Sequence, residues 1–261
     1  MSAPPLTWLY VPADRPDRVE KAIGSRAHAV IGDLEDGVAT SAKAAARTNL
    51  AGLLGEPHGK PVYVRVNAGD AHDLDAIEGL AIDAVVVPKV ERHEHLPTRM
   101  HTIALIETAR GVEAAYEIAR APCVVGLGLG EADLRSQTGA LESGLDWPRA
   151  RVINAAVAAG LPRPPQSVYP HVRDLDGLEA SCRRGRELGH LGRTAIHPDQ
   201  LEVIERAYLP TIAEVEQARA TLARLAESGV GTVGDGAFVD AAMQGAAQQV
   251  VDLADAYGVA A

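Results

Sequence analysis

Residues 27–66, AHAVIGDLEDGVATSAKAAARTNLAGLLGEPHGKPVYVRV, hold the pattern that decides the fold. An apolar run from Ala27 to Asp33 ends in a cluster of acids. Ser41 then opens a helical pattern that closes at Gly55, and a second apolar run begins at Val62. Runs rich in Val and Ile without polar alternation belong to strands buried on both faces, and a helix between two of them is the crossover that parallel strands require. Working outward, the same unit recurs. Leu6 to Val11, Val62 to Val66, Ala84 to Val87, Ile103 to Ile106, Cys123 to Leu129, Gln166 to Tyr169 and Thr194 to Ile196 complete a set of eight strands. Leu175, Leu178, Cys182 and Leu188 mark the apolar face of one intervening helix. Eight strand–helix units close most economically as a (β/α)8 TIM barrel, here residues 1–209, with an open doubly wound sheet as the rival α/β fold. After Pro210 the pattern changes. Thr211 and Glu214 read as a capping box, and Ile212, Val215, Ala218, Leu222 and Leu225 form one helical stripe. A Gly-rich linker, Gly229 to Gly236, precedes a last helical pattern from Val239 to Tyr257. Residues 210–261 are therefore expected to be a C-terminal helical extension without further strands, packing on the barrel or on a neighbouring subunit.

With 261 residues and 47% hydrophobic content the chain has enough apolar surface for a large core. A formal charge of −10 argues against nucleic acid and anionic membranes as partners, because binders of polyanions concentrate Lys and Arg. Cys123 and Cys182 fit neither a metal spacing nor a disulfide framework, which suits a reducing cytoplasm. The N-terminal segment lacks a basic stretch followed by an apolar run, and no stretch approaches the ~18 apolar residues of a membrane span.

On a barrel, reactive groups sit on loops beyond the carboxyl ends of the strands. The sequence places Glu35 and Asp36 after the second strand, Arg65 and Asn67 at the third and Lys89 at the fourth. Glu107 follows the fifth, Glu131 and Asp133 the sixth, and His171 and His197 the last two. Any single acid among these serves equally well as a helix cap. Several at one mouth repel one another unless a cation lies between them, and oxygen-only donors suit Mg²⁺ better than Zn²⁺. Glu107 and Asp133, on consecutive strands, are the ligand pair this reading selects. The run Gly126-Leu-Gly-Leu-Gly130 matches neither G-x-G-x-x-G nor a P-loop, so dinucleotide binding is set aside. Glycine there makes room, and the amides of Gly130, Glu131 and Ala132 are candidates to grip a carboxylate. Lys89 is read as salt-bridged by the acids rather than as a Schiff-base nucleophile, and His171 and His197 as loop or cap groups.

Seven segments, LYVPADRPDRVEKA, VIGDLEDGVATSAKAAAR, VRVN, VVVPKVE, IALIETARG, GEADL and RTAIHPDQLEVIERAY, follow one another in this order. Together they resemble the citrate lyase beta-subunit group of the HpcH/HpaI aldolase superfamily across almost the entire chain. The resemblance implies a Mg²⁺-dependent barrel, usually trimeric or hexameric, acting on CoA esters. It makes Glu107 and Asp133 the metal ligands and Arg65 the group that holds the keto acid, with Glu35 and Asp36 beside the metal. It also places Arg15 and Lys43 near the CoA moiety, and Asp240 in a tail segment that in relatives covers a neighbouring active site. Two departures stand out: GEAD replaces the GAED or GTED of many relatives, and the tail reads GAFVDAAM.

The implied reaction is cleavage of a short β-hydroxyacyl-CoA ester to an acyl-CoA and a small keto acid, or its reverse, a Claisen-type condensation. Glu35, Asp36 and Asp240 are the nominees for the base. The alternatives are an acyl-CoA thioesterase or condensing variant, and the beta subunit of a multisubunit citrate lyase working on a carrier-bound thioester. A third is a barrel that binds metal and keto acid without turnover.

Overall fold

The computed structural model describes residues 3–228, 230–232 and 238–260. Seven strands form one parallel sheet: β1 (Thr7–Pro12), β2 (Ala29–Asp33), β3 (Val62–Arg65), β4 (Ala84–Val87), β5 (Thr102–Ile106), β6 (Val124–Leu129) and β7 (Arg193–Ala195). Their order is β6-β5-β4-β3-β2-β1-β7, so the sheet curls through neighbours in sequence and brings β7 beside β1. Helices connect them, among them α1 (Pro16–Ile23), α2 (Lys43–Leu53), α3 (Ala71–Ile77), α4 (Ala109–Glu113), α5 (Ala115–Ala119), α6 (Glu131–Thr138), α7 (Asp146–Ala158), α8 (Leu175–Leu188) and α9 (Leu201–Tyr208). β2 and β4 are buried along their whole length, as strands covered by helices on one side and by the curled sheet on the other must be. On the concave side Ile31, Val86 and Leu105 pack together, joined by Trp8, Tyr10, Tyr63 and Ile103.

Three expectations change. Gln166–Tyr169 is not a full strand: Gln166 makes one parallel bridge to Arg193 and no more. Pro164, Pro165 and Pro170 flank it, and proline donates nothing to a ladder. Ser41 does not cap α2; it lies within a short 3-10 turn, Thr40–Ala42, that leads into the helix. The C-terminal extension does contain strands, because β8 (Gly231–Thr232) pairs antiparallel with β9 (Phe238–Val239). Residues 229 and 233–236 of the Gly-rich stretch, and residue 237 after it, lie outside the described residues.

The chain divides into two compact units, Pro5–Glu205 and a second comprising residues 206–261 with residues 1–4. The division falls inside α9, a few residues before Pro210. Within the second unit α10 (Ile212–Ser228) starts at the expected capping box, with the Thr211 amide donating to Glu214 Oε2 (2.7 Å) and the Glu214 amide to Thr211 Oγ1 (3.2 Å). Arg219 of α10 pairs with Asp255 of α11 (Gln244–Tyr257) at 3.2 Å. No helix among the described residues is long and apolar enough to cross a membrane.

Candidate active site

β2 and β3 are in parallel register with Asp33 opposite Arg65, so both side chains leave the sheet at the same level. Arg65 Nε and Nη2 donate to the two oxygens of Asp33, each at 2.7 Å, the bidentate fork that holds a guanidinium in one orientation. The amides of Glu35 and Gly37 donate to the same carboxylate at 2.9 Å, so Asp33 also shapes the acidic loop after β2. Arg65 Nη1 lies 2.9 Å from Glu35 Oε2, and the guanidinium sits 5.0 Å from the centre of the Tyr10 ring. Burial alone would lower its pKa, but Asp33, Tyr10 and Glu35 hold it above the usual arginine value. Arg65 is a permanent cation.

Lys89, just past β4, is the one non-glycine with positive φ among the described residues, at +56°. That backbone turn aims its amide at Glu107 Oε1 (2.8 Å), while its ammonium donates to Glu35 Oε1 (2.7 Å) and lies 3.9 Å from Asp133 Oδ2. Burial favours the neutral amine, but the Glu35 hydrogen bond and the charges of Glu35, Glu107 and Asp36 raise its pKa above the ordinary lysine value. A Schiff-base nucleophile needs the opposite shift.

Glu107 is only 3% exposed. A Cβ on Gly130 would overlap Glu107 Oε2, which is why glycine stands there: Oε1 takes the Lys89 amide and Oε2 lies against bare backbone. Burial, then the charges of Glu35 and Asp133, push the Glu107 carboxyl up to about 8, with Lys89 opposing them.

Glu131 and Asp133 open α6 and diverge. Glu131 lines the cavity but commits its carboxylate to a buried ion pair, with Arg149 Nε and Nη2 donating to its two oxygens at 2.8 and 2.7 Å. Arg149, on α7 and 2% exposed, also reaches Glu142 (2.7 Å) and Asp146 (3.4 Å). Asp133 is half exposed and lines the cavity. The Gly130 amide is already bonded to Ile106 O (2.8 Å) as part of the sheet, which removes it from the expected carboxylate grip. The Glu131 amide lies 3.5 Å from Ser167 Oγ, and the Ala132 amide is in the first helical turn, where no intrahelical acceptor exists.

A cavity of about 450 Å³ opens among these groups, with Asp36, Arg65, Glu107 and Asp133 in its lining. Other expected residues lie elsewhere. The Lys43 ammonium donates to Leu34 O (2.9 Å), Glu35 O (3.1 Å) and Asn67 Oδ1 (2.5 Å), so its three protons brace the acidic loop and none is left for a CoA phosphate. Arg15 is exposed, 3.8 Å from Asp14. Asp240 belongs to the second compact unit, where it accepts from the Ala242 amide (2.9 Å). His197 accepts from the Asp199 amide (3.2 Å) as a cap, and His171 packs edge-on to Tyr169. Asp33 and Arg149 were given no role by the sequence. Arg149 had left a signal: it shares the i, i+3, i+4, i+7 face of α7 with Val152, Ile153 and Ala156, where a charge is out of place unless paired.

The family model described as HpcH/HpaI aldolase/citrate lyase matches residues 6–101 and 96–198, which together hold all of these groups except Asp240. The chain belongs to the HpcH/HpaI aldolase/citrate lyase family. A second model, C-C bond lyase of the TIM-barrel fold, matches residues 150–259. Among relatives, a citrate lyase subunit beta-like protein of Mycobacterium tuberculosis is 37% identical over 231 residues, covering 83% of each chain. A (3S)-malyl-CoA thioesterase of Cereibacter sphaeroides is 35% identical over 240 residues, covering 84% of this chain and 82% of that one. The crystal structure of the CitE protein of Mycobacterium tuberculosis, in complex with magnesium, acetoacetate and coenzyme A, superposes with a TM-score of 0.85 at 35% identity, covering 97% of this chain and 98% of that one. Within the family's frame, Glu107 and Asp133 approach one cavity from β5 and α6, with Arg65 fixed beside them.

Proposed function

We propose that the chain is a Mg²⁺-dependent carbon–carbon lyase that cleaves a short β-hydroxyacyl-CoA ester into an acyl-CoA and a small keto acid, or runs the reverse condensation. The observation that carries this reading is Glu107: a buried carboxyl in the lining of a cavity, with Glu35 and Asp133 nearby and Gly130 close beside Oε2. Such a group calls for a cation. Among the described residues no group of three or more His, Cys, Asp or Glu side chains is placed to hold a metal. Glu107 and Asp133 would thus leave most coordination positions to water and substrate oxygens, the pattern Mg²⁺ favours and Zn²⁺ does not. Bound there, the ion would supply positive charge where alkoxide and enolate character develops.

The chain's own groups divide the remaining work. With Nε and one edge of Nη2 held by Asp33 and Nη1 2.9 Å from Glu35 Oε2, Arg65 keeps the outer edge of Nη2 for the keto-acid carboxylate, and Glu131 and Ala132 line the same cavity. Glu35 is held between Arg65 Nη1 (2.9 Å) and the Lys89 ammonium (2.7 Å), so its carboxylate is occupied in positioning these two cations. Asp36 lines the cavity and is the nominee from this unit, with Asp240 the alternative if the C-terminal extension covers a neighbouring subunit's site. Arg15 is the remaining candidate for CoA. The finer picture is a closed (β/α)8 catalytic domain over residues 1–209, the extension over 210–261, and a cytoplasmic homotrimer or hexamer. The Cereibacter relative supports a second reading in which thioester hydrolysis follows condensation, and an acyl-carrier partner is the third.

A Mg²⁺-dependent screen of acyl-CoA thioesters against 2-keto acids, read in both directions by mass spectrometry, tests the function; absence of any cleavage or condensation overturns it. The raised Glu107 pKa adds a prediction. Ion binding must displace the proton the carboxyl holds below about 8, so Mg²⁺ affinity should rise about tenfold per pH unit between 6 and 7.5. Calorimetry in buffers of different ionisation enthalpy should register close to one proton released per ion at pH 6.5. A pH-independent affinity would remove Glu107 from the site.

A further inference from the structure

The rim of the cavity is charged and its floor is not. On β5, Ile103, Leu105 and Glu107 share one face at a spacing of two residues, so the cavity that begins at Glu107 runs down the concave side of the sheet. Four residues of strand span about 13 Å, far more than a methyl group requires. Trp8, Ile31, Val86, Ile103 and Leu105 give the cavity its apolar lining, with Tyr10 and Thr194 in register with Ile31 and Trp8, and Gly128 on β6 contributes no side chain to it. The charge distribution points the same way. Arg65 is the single Lys, Arg or His among the lining residues, and Asp33 and Glu35 already neutralise it. Asp33, Asp36, Glu107 and Asp133 all line the same space, and Glu131, also in the lining, is already paired with Arg149. A ligand carboxylate at the rim would have Arg65 and the α6 amides for partners. A second carboxylate directed at the floor would meet no cation, only the hydroxyl-bearing Tyr10 and Thr194 among apolar side chains, and burying a charge without a counter-charge is strongly unfavourable.

We propose that the keto-acid half of the substrate is a 2-keto monocarboxylate bearing an apolar chain longer than methyl, with its carboxylate at the rim and its chain against Trp8, Ile103 and Leu105. The inference rests on the lyase reading. In the cleavage direction the base takes the hydroxyl proton and the oxygen pair forms the new keto group. The bond between the second and third carbons then breaks toward the thioester, and the resulting enolate takes one proton at carbon to give the acyl-CoA. The apolar chain stays on the keto fragment throughout and is read only by the floor.

The test uses the purified full chain with Mg²⁺ and acetyl-CoA in the condensation direction, with glyoxylate, pyruvate, 2-oxobutanoate, 2-oxopentanoate and oxaloacetate as partners. kcat/KM should rise roughly tenfold per added methylene, the scale on which apolar pockets discriminate. Oxaloacetate, similar in length to 2-oxopentanoate but charged at its end, should fall at least ~100-fold below it. Leu105→Phe, which shortens the floor, should cut the ratio of 2-oxopentanoate to glyoxylate at least tenfold; should that variant not fold, Ile103→Ala should raise the same ratio for 2-oxohexanoate. Preference for glyoxylate or oxaloacetate would overturn the inference and leave the lyase reading standing. Condensation with none of the acids would overturn both.

Discussion

Glu107→Gln should yield a chain that is more stable than the parent at pH 8 without divalent ions, yet turns over at least ~100-fold more slowly. Glutamine keeps the shape and still accepts from the Lys89 amide, which reaches Oε1 at 2.8 Å in the parent. What it removes is the charge. Unfolded, the Glu107 carboxyl titrates near its ordinary 4.5; folded, near 8. Between those values the folded chain holds a proton that the unfolded chain has released, so this group's contribution to stability is complete below 4.5 and is lost as pH rises toward 8. Glutamine has no proton to lose. Thermal unfolding of parent and variant in chelator should therefore agree near pH 4.5 and diverge toward pH 8, and Mg²⁺ should close the gap by stabilising only the parent. A variant with parental turnover and Mg²⁺ affinity would show that the ion, or the chemistry, lies elsewhere.

Arg149→Met should cost about 3–5 kcal/mol of folding stability, the usual consequence of leaving a buried partner charge unmatched. The partner is Glu131, buried in the first turn of α6 and bonded by both oxygens to Arg149. For a chain of this size that loss corresponds to a melting temperature lower by about 10 °C. Because the same turn carries Asp133, Mg²⁺ affinity should fall as well, although Arg149 does not line the cavity. Adding Glu131→Gln removes the stranded charge and should restore most of the stability, a coupling that a double-mutant cycle measures directly. If the two substitutions instead add independently, the pair does not brace the start of α6.

How much of this was legible beforehand depends on the kind of signal. The β2–α2–β3 unit could be read because its apolar runs and helical period are local properties of the chain, and local properties survive into the fold. Gln166–Tyr169 misled because a short apolar run looks like a strand whether or not its flanking prolines allow a ladder. Glu107, Asp133 and Arg65 could be placed at one rim because strand ends fix the first atoms of a side chain. Lys43 could not: its long flexible stem carries the ammonium to carbonyls of the acidic loop, and nothing in sequence spacing shows where such a stem ends. The Gly130 amide is already used by the sheet, and the importance of this residue lies in the Cβ it lacks, which only the folded neighbourhood of Glu107 makes visible. Asp33 went unassigned because its significance is relational and exists only once β2 and β3 are aligned.

That alignment reaches beyond geometry. Asp33 and Arg65 are ladder neighbours, so a slip of a single residue between β2 and β3 would turn one of them to the opposite face and sever the clamp. Ligand recognition and correct strand pairing therefore stand or fall together, and any misthreaded form of this chain would be silent toward keto acids rather than poorly selective.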